Sequence, residues 1–432
     1  MKNLGIKSKS FLSAIKCLPV NSDFFFKSLC WLTLSLGLQA DNWNRFRGPN
    51  GTGLSIGGNI PTAWSEDSYR WVIELPGVGH SSPVIWENKI FTTSADEQNG
   101  EQFVQCVDTK SGQVLWKKGF QSKTYSHHKF NSFASATPCV DSNSLIVSWT
   151  TKESNDLLCL DHNGSVKWRR NFGNYKTQHG SGFSPIIYQE RVIMTHDHEG
   201  ESALLALDKE TGKTLWKTVR VGSKPSSSTP CIHKNIKGNT QVICNSMSHG
   251  CYAVSIEDGN ILWETGPGSL DKRSVSSPIQ SGGFFFATCG SGGRGSRLIG
   301  VRPPMPSSKS PPPSYILTRN IPYVPTLLAV DQFIFLLSDG GIASCMERDT
   351  GKIFWRERME GNYFASPILI NDVIVIVSRV GEITTLRIDD QKMTILGKSQ
   401  LNDQTHNTPA VGSNSVFFRT YSKLFCLPLA QL

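Results

Sequence analysis

Charge is scarce in this 432-residue sequence, with Asp, Glu, Lys and Arg together making up 18% of it. No basic run and no basic face studded with aromatics occurs, so the electrostatic footprint of a nucleic-acid binder is missing. No apolar stretch has the length of a membrane-spanning helix, the uncharged run 29–38 falling well short. Beyond the N-terminal region no amphipathic pattern of three or more helical turns appears, which excludes a helical bundle. No Cys-x-x-Cys-His marks a haem attachment, and neither a serine elbow in a strand–turn–helix context nor a paired-carboxylate motif is found.

The first forty residues stand apart. Lys2, Lys7, Lys9, Lys16 and Lys27 oppose one acid, Asp23, and the apolar run ends at Gly37-Leu38-Gln39-Ala40. A basic head, a short apolar stretch and a small-residue end read as a secretory signal peptide, residues 1–40, cleaved after Ala40. The mature chain is then expected to be exported, periplasmic or extracellular, with no membrane span; retention as a membrane anchor is the alternative. Without this segment the net charge falls from +9 to +5, and no nucleic-acid partner is expected.

Glycine and proline, 38 and 22 residues, are what the sequence has instead, and they recur in register. The stretch Ala206-Leu207-Asp208-Lys209-Glu210-Thr211-Gly212-Lys213-Thr214-Leu215-Trp216 sets two apolar runs around a polar turn, which is how a β-hairpin is written. The same Asp, Gly and Trp offsets return at Asp108, Gly112 and Trp116, and at Asp161, Gly164 and Trp168. Ser255, Gly259 and Trp263, then Glu347, Gly351 and Trp355, complete the series. A second motif, Ser/Thr-Pro before a short strand, recurs at Pro83, Pro138, Pro185, Pro230, Pro278, Pro367 and Pro409, with Val324-Pro325 between; successive prolines lie 42 to 55 residues apart. That period belongs to a four-stranded propeller blade.

Eight motifs imply eight units, of which the last stops after three strands. The segment around Trp71 supplies the missing fourth. The expected fold is all-β, an eight-bladed β-propeller of four-stranded antiparallel blades over residues 64–432, closed by N-terminal and C-terminal strands. Residues 41–63 form an N-terminal segment whose glycine-rich part, Gly48 to Gly53, reads as turns. In blade five a Pro-rich insertion, residues 302–314, replaces the turn, with Tyr315 to Thr318 as the fourth strand. Blade seven has no Trp.

Nine cysteines follow Ala40. Cys106, Cys159, Cys345 and Cys426 share the column of Ala206, so they read as small buried residues with free thiols rather than as bridges.

Polar residues gather just before several Ser/Thr-Pro motifs. If these loops share one end of the ring, His80, His128, Asn131, His179, Ser181, Arg273, Tyr363 and His406 converge on a channel mouth, where imidazoles could bind a ligand or a metal. Capping of strand ends is the simpler role for each. His196-Asp197-His198-Glu199 resembles a ligand cluster but follows a second strand, where a solvated loop is expected. Gly290-Ser291-Gly292-Gly293-Arg294-Gly295 matches G-x-G-x-x-G, yet a strand rather than a helix follows, so the match is accidental.

These residues resemble the quinoprotein-like propeller family, whose repeats carry an Ala-x-Asp-x-x-Thr-Gly-x-x-x-Trp docking motif; Ala206 to Trp216 matches throughout. Trp43 to Gly53 and Gly293 to Pro325 resemble exported PQQ-binding-like repeat proteins of the planctomycete type. The resemblance implies that Asp108, Gly112, Trp116, Asp208, Gly212, Trp216, Gly351 and Trp355 dock blades and hold no cofactor. Methanol-dehydrogenase-type relatives bind pyrroloquinoline quinone and Ca²⁺ and use an adjacent cysteine pair and an Asp base; here no two cysteines are adjacent. The assembly-factor branch has eight blades and holds partner proteins. The expectation is an exported binding or scaffolding module with a protein partner or small ligand at the channel mouth, no cofactor and no metal. The alternative is a PQQ- and calcium-dependent dehydrogenase; a third possibility is a carbohydrate-binding or hydrolytic propeller.

Overall fold

The Ala206 to Trp216 stretch shows how one repeat folds. Asp208 Oδ1 accepts the amide and the hydroxyl of Thr211 at 2.8 and 2.5 Å, and these bonds hold its carboxyl below the usual range. Gly212 sits at φ +67°, and its amide returns to the Asp208 carbonyl at 2.8 Å. Any side chain at Gly212 would strike the Trp168 ring of the preceding blade, so the glycine serves turn and packing together.

The computed structural model describes residues 42–222, 224–303 and 309–431. The signal segment 1–40 lies outside the described residues, as does the centre of the Pro-rich insertion. Eight four-stranded antiparallel sheets follow one another: residues 84–120, 139–171, 186–222, 231–264, 279–317, 328–358, 368–400 and 410–428. The eighth is completed on its outer edge by Trp71–Glu74, which pairs with the last strand, Lys423–Pro428. Among the described residues helix is confined to two short 3₁₀ turns, Pro49–Gly51 and Glu66–Ser68. The chain is thus an eight-bladed propeller closed by strands from both ends, and Tyr315–Leu317 forms the outer strand of blade five. The Gly290 to Gly295 match falls in a hairpin between two strands.

Docking runs one way around the ring. Trp71, Trp116, Trp168, Trp216 and Trp355 donate their indole N–H to the carbonyls of Thr109, His162, Lys209, Ile256 and Asp389 in the following blade, at 3.1, 2.8, 2.7, 2.9 and 2.8 Å. In blade five Tyr315 takes the Trp position, donating to the Arg348 carbonyl and covering Gly351. Blade seven has Gly397 there, opposite Thr385, and the N-terminal chain at Thr62 and Ala63 fills the space. Across these hairpins Ala206 faces Trp216, and Cys106, Cys159, Cys345 and Cys426 face Trp116, Trp168, Trp355 and Trp71. The nine cysteines of the described residues are buried and free.

On the inside, the residue entering each innermost strand binds its neighbour. Backbone amides donate to hydroxyls from Ser82 to Thr137, Thr137 to Ser184, Thr229 to Ser277, Ser277 to Thr326, Thr326 to Ser366, Ser366 to Thr408, and Thr408 back to Ser82, all at 3.0–3.1 Å. The circle is open only between Ser184 and Thr229. Val324-Pro325 is therefore displaced from the pattern assigned to it: blade six enters the ring with Thr326, after the proline, because the position needs a hydroxyl to take the Ser277 amide.

The N-terminal segment is more than a run of turns. Its Trp43 and Asn44 carbonyls accept the amides of Ile85 and Val140 at 2.9 and 2.8 Å, and Leu54–Ser55 adds a parallel strand inside blade seven. Arg45 bonds the Pro230 carbonyl. Arg47, wholly buried, donates to Thr326 and Leu327 oxygens at 3.0 and 2.9 Å. Gly53, at φ +74°, leaves room for that guanidinium, since a Cβ there would lie 2.6 Å from it. Burial lowers Arg47 to about 9 and Arg45 to about 10. The segment ties blades one, two, four, six and seven together across one end of the channel.

Candidate functional site

The opposite end opens into a cavity of about 460 Å³. Phe46 of the N-terminal segment is its floor, and the Ser/Thr circle forms its wall. Of the residues picked from sequence, His80, His128, Asn131, His179, Arg273 and His406 line it together. Ser181 and Tyr363 do not. Ser181 is buried behind the rim, where its carbonyl accepts Asn131 at 3.2 Å. Tyr363 is buried between blades six and seven, its hydroxyl donating to the Glu360 carbonyl at 2.6 Å; its neighbour Phe364 faces the cavity instead.

The rim is built from two histidine pairs. His80 and His406 pack with their rings tilted by 37° and centroids 4.4 Å apart. Arg379 Nε lies 3.2 Å from His406 Nε2, and because a guanidinium can only donate, that nitrogen carries no proton and Nδ1 does. On the other side His128 meets His179 edge-on at 5.2 Å, while Asn131 donates to the His179 carbonyl at 2.7 Å. Burial first, then Arg379, lowers His406 to about 4; burial, Arg273 and His128 bring His179 to about 4. His80 is held well below its ordinary value by burial, His406 and Arg419. These three rings are neutral at neutral pH.

Sequence reasoning missed the aromatic cover. Phe130, from the loop entering blade two, reaches Phe364 of blade seven at 5.4 Å, and Arg379 lies 4.0 Å above the Phe130 ring and 4.8 Å from that of Phe364. The loop bridges part of the mouth through this stacked cation. Phe130 stands between His128 and Asn131 in the sequence, but no spacing rule points it across the ring. Asp339 was also missed: behind the rim it accepts the Tyr323 and Val324 amides at 2.7 and 3.2 Å, and burial pushes its carboxyl up to about 7.

The expected solvated loop at His196 to Glu199 is different in fact. His196, Asp197 and His198 are buried, because Asp197 pairs with Arg220 and receives the Tyr175 hydroxyl on its carbonyl at 2.8 Å. Only Glu199 is exposed. Among the described residues no group of three or more His, Cys, Asp or Glu side chains is arranged to hold a metal ion.

A calcium–quinone pair does not fit the cavity residues. Calcium takes hard oxygen ligands, carboxylates foremost, and among the described residues no Asp, Glu or Cys lines the cavity. Among the described residues no carboxylate base and no thiol lines the cavity, and Arg273 is the one Arg or Lys that does.

No helix of the described residues is long and apolar enough to cross a membrane. The family model described as "Outer membrane protein assembly factor BamB" matches residues 100–302. The chain matches none of the curated proteins by sequence. Among solved structures it resembles a europium-containing methanol dehydrogenase at 11% identity and TM-score 0.65, covering 88% of this chain and 90% of that one. BamB from Moraxella catarrhalis aligns at 13% identity and TM-score 0.58, over 83% and 98% of the two chains. The quinohemoprotein alcohol dehydrogenase of Comamonas testosteroni aligns at 11% and 0.63, over 89% and 80%. At such identities the likeness speaks for the fold. Repeat register, one-way docking and these matches together show the chain to be an eight-bladed β-propeller whose residues 100–302 match the BamB family model.

Proposed function

We propose that this propeller is a non-catalytic binding module whose ligand seats in the cavity at the open end of the channel. One observation carries the reading: the chain closes the other end with its own residues 42–55 and so converts a channel into a cup. Small-ligand sites are concave, of this size, and lined by apolar groups with a few convergent polar ones. Among the described residues nothing lining the cup forms a nucleophile–base pair or supplies a carboxylate. The BamB match over residues 100–302 adds support for a holding role, in which the bridging loop or the Pro-rich segment presents a surface to a protein partner. The quinone-dependent dehydrogenase reading draws on fold alone. Export through residues 1–40 belongs to the same proposal.

Gly182 gives the test. It lines the cup, and a Cβ there meets only Ser227, at an ordinary 3.6 Å, so Gly182→Phe fills the space without backbone strain. Native mass spectrometry of purified wild type against a small-molecule panel is expected to find ligands that the variant loses while its melting temperature holds. Equal binding by both proteins places the site elsewhere and defeats the proposal.

A further inference from the structure

We infer that the cup is a receptor for an oxyanion, either a free inorganic one or the acid group of a small organic molecule. The inference deepens the binding reading above and rests on it. Its basis is the Ser/Thr circle. A hydroxyl has one proton to donate and lone pairs to accept with. In Thr137, Ser366 and their counterparts, a lone pair is taken by the neighbouring blade's amide. No hydrogen bond runs from any of these hydroxyls to an acceptor in the described residues, and all are buried in the ring wall. Their protons therefore point, as a set, at whatever occupies the cavity that seven of the eight residues line. Thr229 goes further: its hydroxyl takes no amide either, since its place in the circle is the open one.

The remaining lining makes the sign of the ligand's charge specific. Arg273 is the charged lining residue, and its Nε is buried without a partner. Among the described residues no acid lines the cavity to neutralise it, and an imidazole offers no negative charge to do so. Buried donors without acceptors are costly, and a convergent set of them around one guanidinium suits a group made only of acceptor oxygens, as Arg–oxyanion pairing does elsewhere. The Phe46 and Phe130 rings add apolar lining beside these donors, and less polar surroundings strengthen such bonds.

The test is calorimetric titration of the full chain with sulfate, phosphate and benzoate, and with benzyl alcohol and glucose as uncharged probes, in low-chloride buffer. Arg273→Gln and Thr229→Val are compared with wild type; the latter removes a hydroxyl that no backbone amide uses, so the circle survives, and circular dichroism verifies both folds. Saturable binding of an oxyanion, weakened on the order of 10- to 100-fold by Arg273→Gln and a few-fold by Thr229→Val, supports the inference. Sulfate or phosphate against benzoate tells a free ion from an organic acid. Binding of the uncharged probes alone, or oxyanion binding unmoved by both variants, overturns the oxyanion inference and leaves the cup reading standing. No saturable binding by any probe, with Gly182→Phe indistinguishable from wild type in the small-molecule panel, overturns both.

Discussion

The indole N–H of Trp216 donates to the carbonyl oxygen of Ile256 in the next blade at 2.9 Å, and that bond with its ring contact on Gly259 is the unit from which the propeller closes. Trp216 is buried, whereas Trp355 in the equivalent place is half-exposed. Trp216→Ala is expected to cost about 3–5 kcal/mol, and Trp355→Ala distinctly less. Urea unfolding followed by circular dichroism measures both; equal losses, or none at Trp216, would mean that docking does not set stability.

The buried arginines of the N-terminal segment carry a second expectation. Arg47→Met keeps the volume but removes donors from the Thr326 and Leu327 carbonyls, at about 1.5–3 kcal/mol for bonds to a charged group. Arg47→Lys cannot span both oxygens and should recover only part. With the strap loosened, limited proteolysis should cut within residues 42–63 before any blade is attacked.

Stability should depend on pH through the rim. A histidine whose folded value is near 4, against about 6.5 unfolded, binds its proton more tightly in the unfolded chain. Stability is therefore present above about pH 6.5 and is lost as pH falls toward 4. Asp339 works in the opposite sense: held at about 7 by burial, it favours the folded chain at low pH and loses that contribution as pH rises from about 4 to 7. The clean measurement is a difference: denaturation midpoints of wild type and His406→Gln at pH 7 and pH 5, where the variant should show the smaller drop.

Much of this architecture was legible because turn chemistry and strand entry repeat. Asp208, Gly212 and Trp216 announce the hairpin, and the cysteine column follows from its register. Trp71 betrays the closing strand by its distance from Pro83. Tyr315 could be read as an outer strand, though not as a stand-in for Trp, since only its packing on Gly351 reveals that. The N-terminal strap was opaque for a physical reason: Arg45 and Arg47 are residues that composition places on a surface, and their burial is made possible by carbonyls contributed from blades four and six and from the segment's own turn. At the mouth, the histidines were found through their place before Ser/Thr-Pro. Phe130 and Arg379 were not, because a contact across the ring leaves no trace in local spacing. Ser181 and Tyr363 failed to reach the cavity because one side chain turns behind the rim and the other fills the seam between two blades.

The central claim is that the channel holds a ligand without transforming one. It is tested most directly by adding pyrroloquinoline quinone and calcium to the purified chain and following dye-linked oxidation of alcohols and sugars. The account expects no turnover above a protein-free control, and the same flat trace from Arg273→Gln. Saturable, protein-dependent dye reduction that Arg273→Gln abolishes would contradict it.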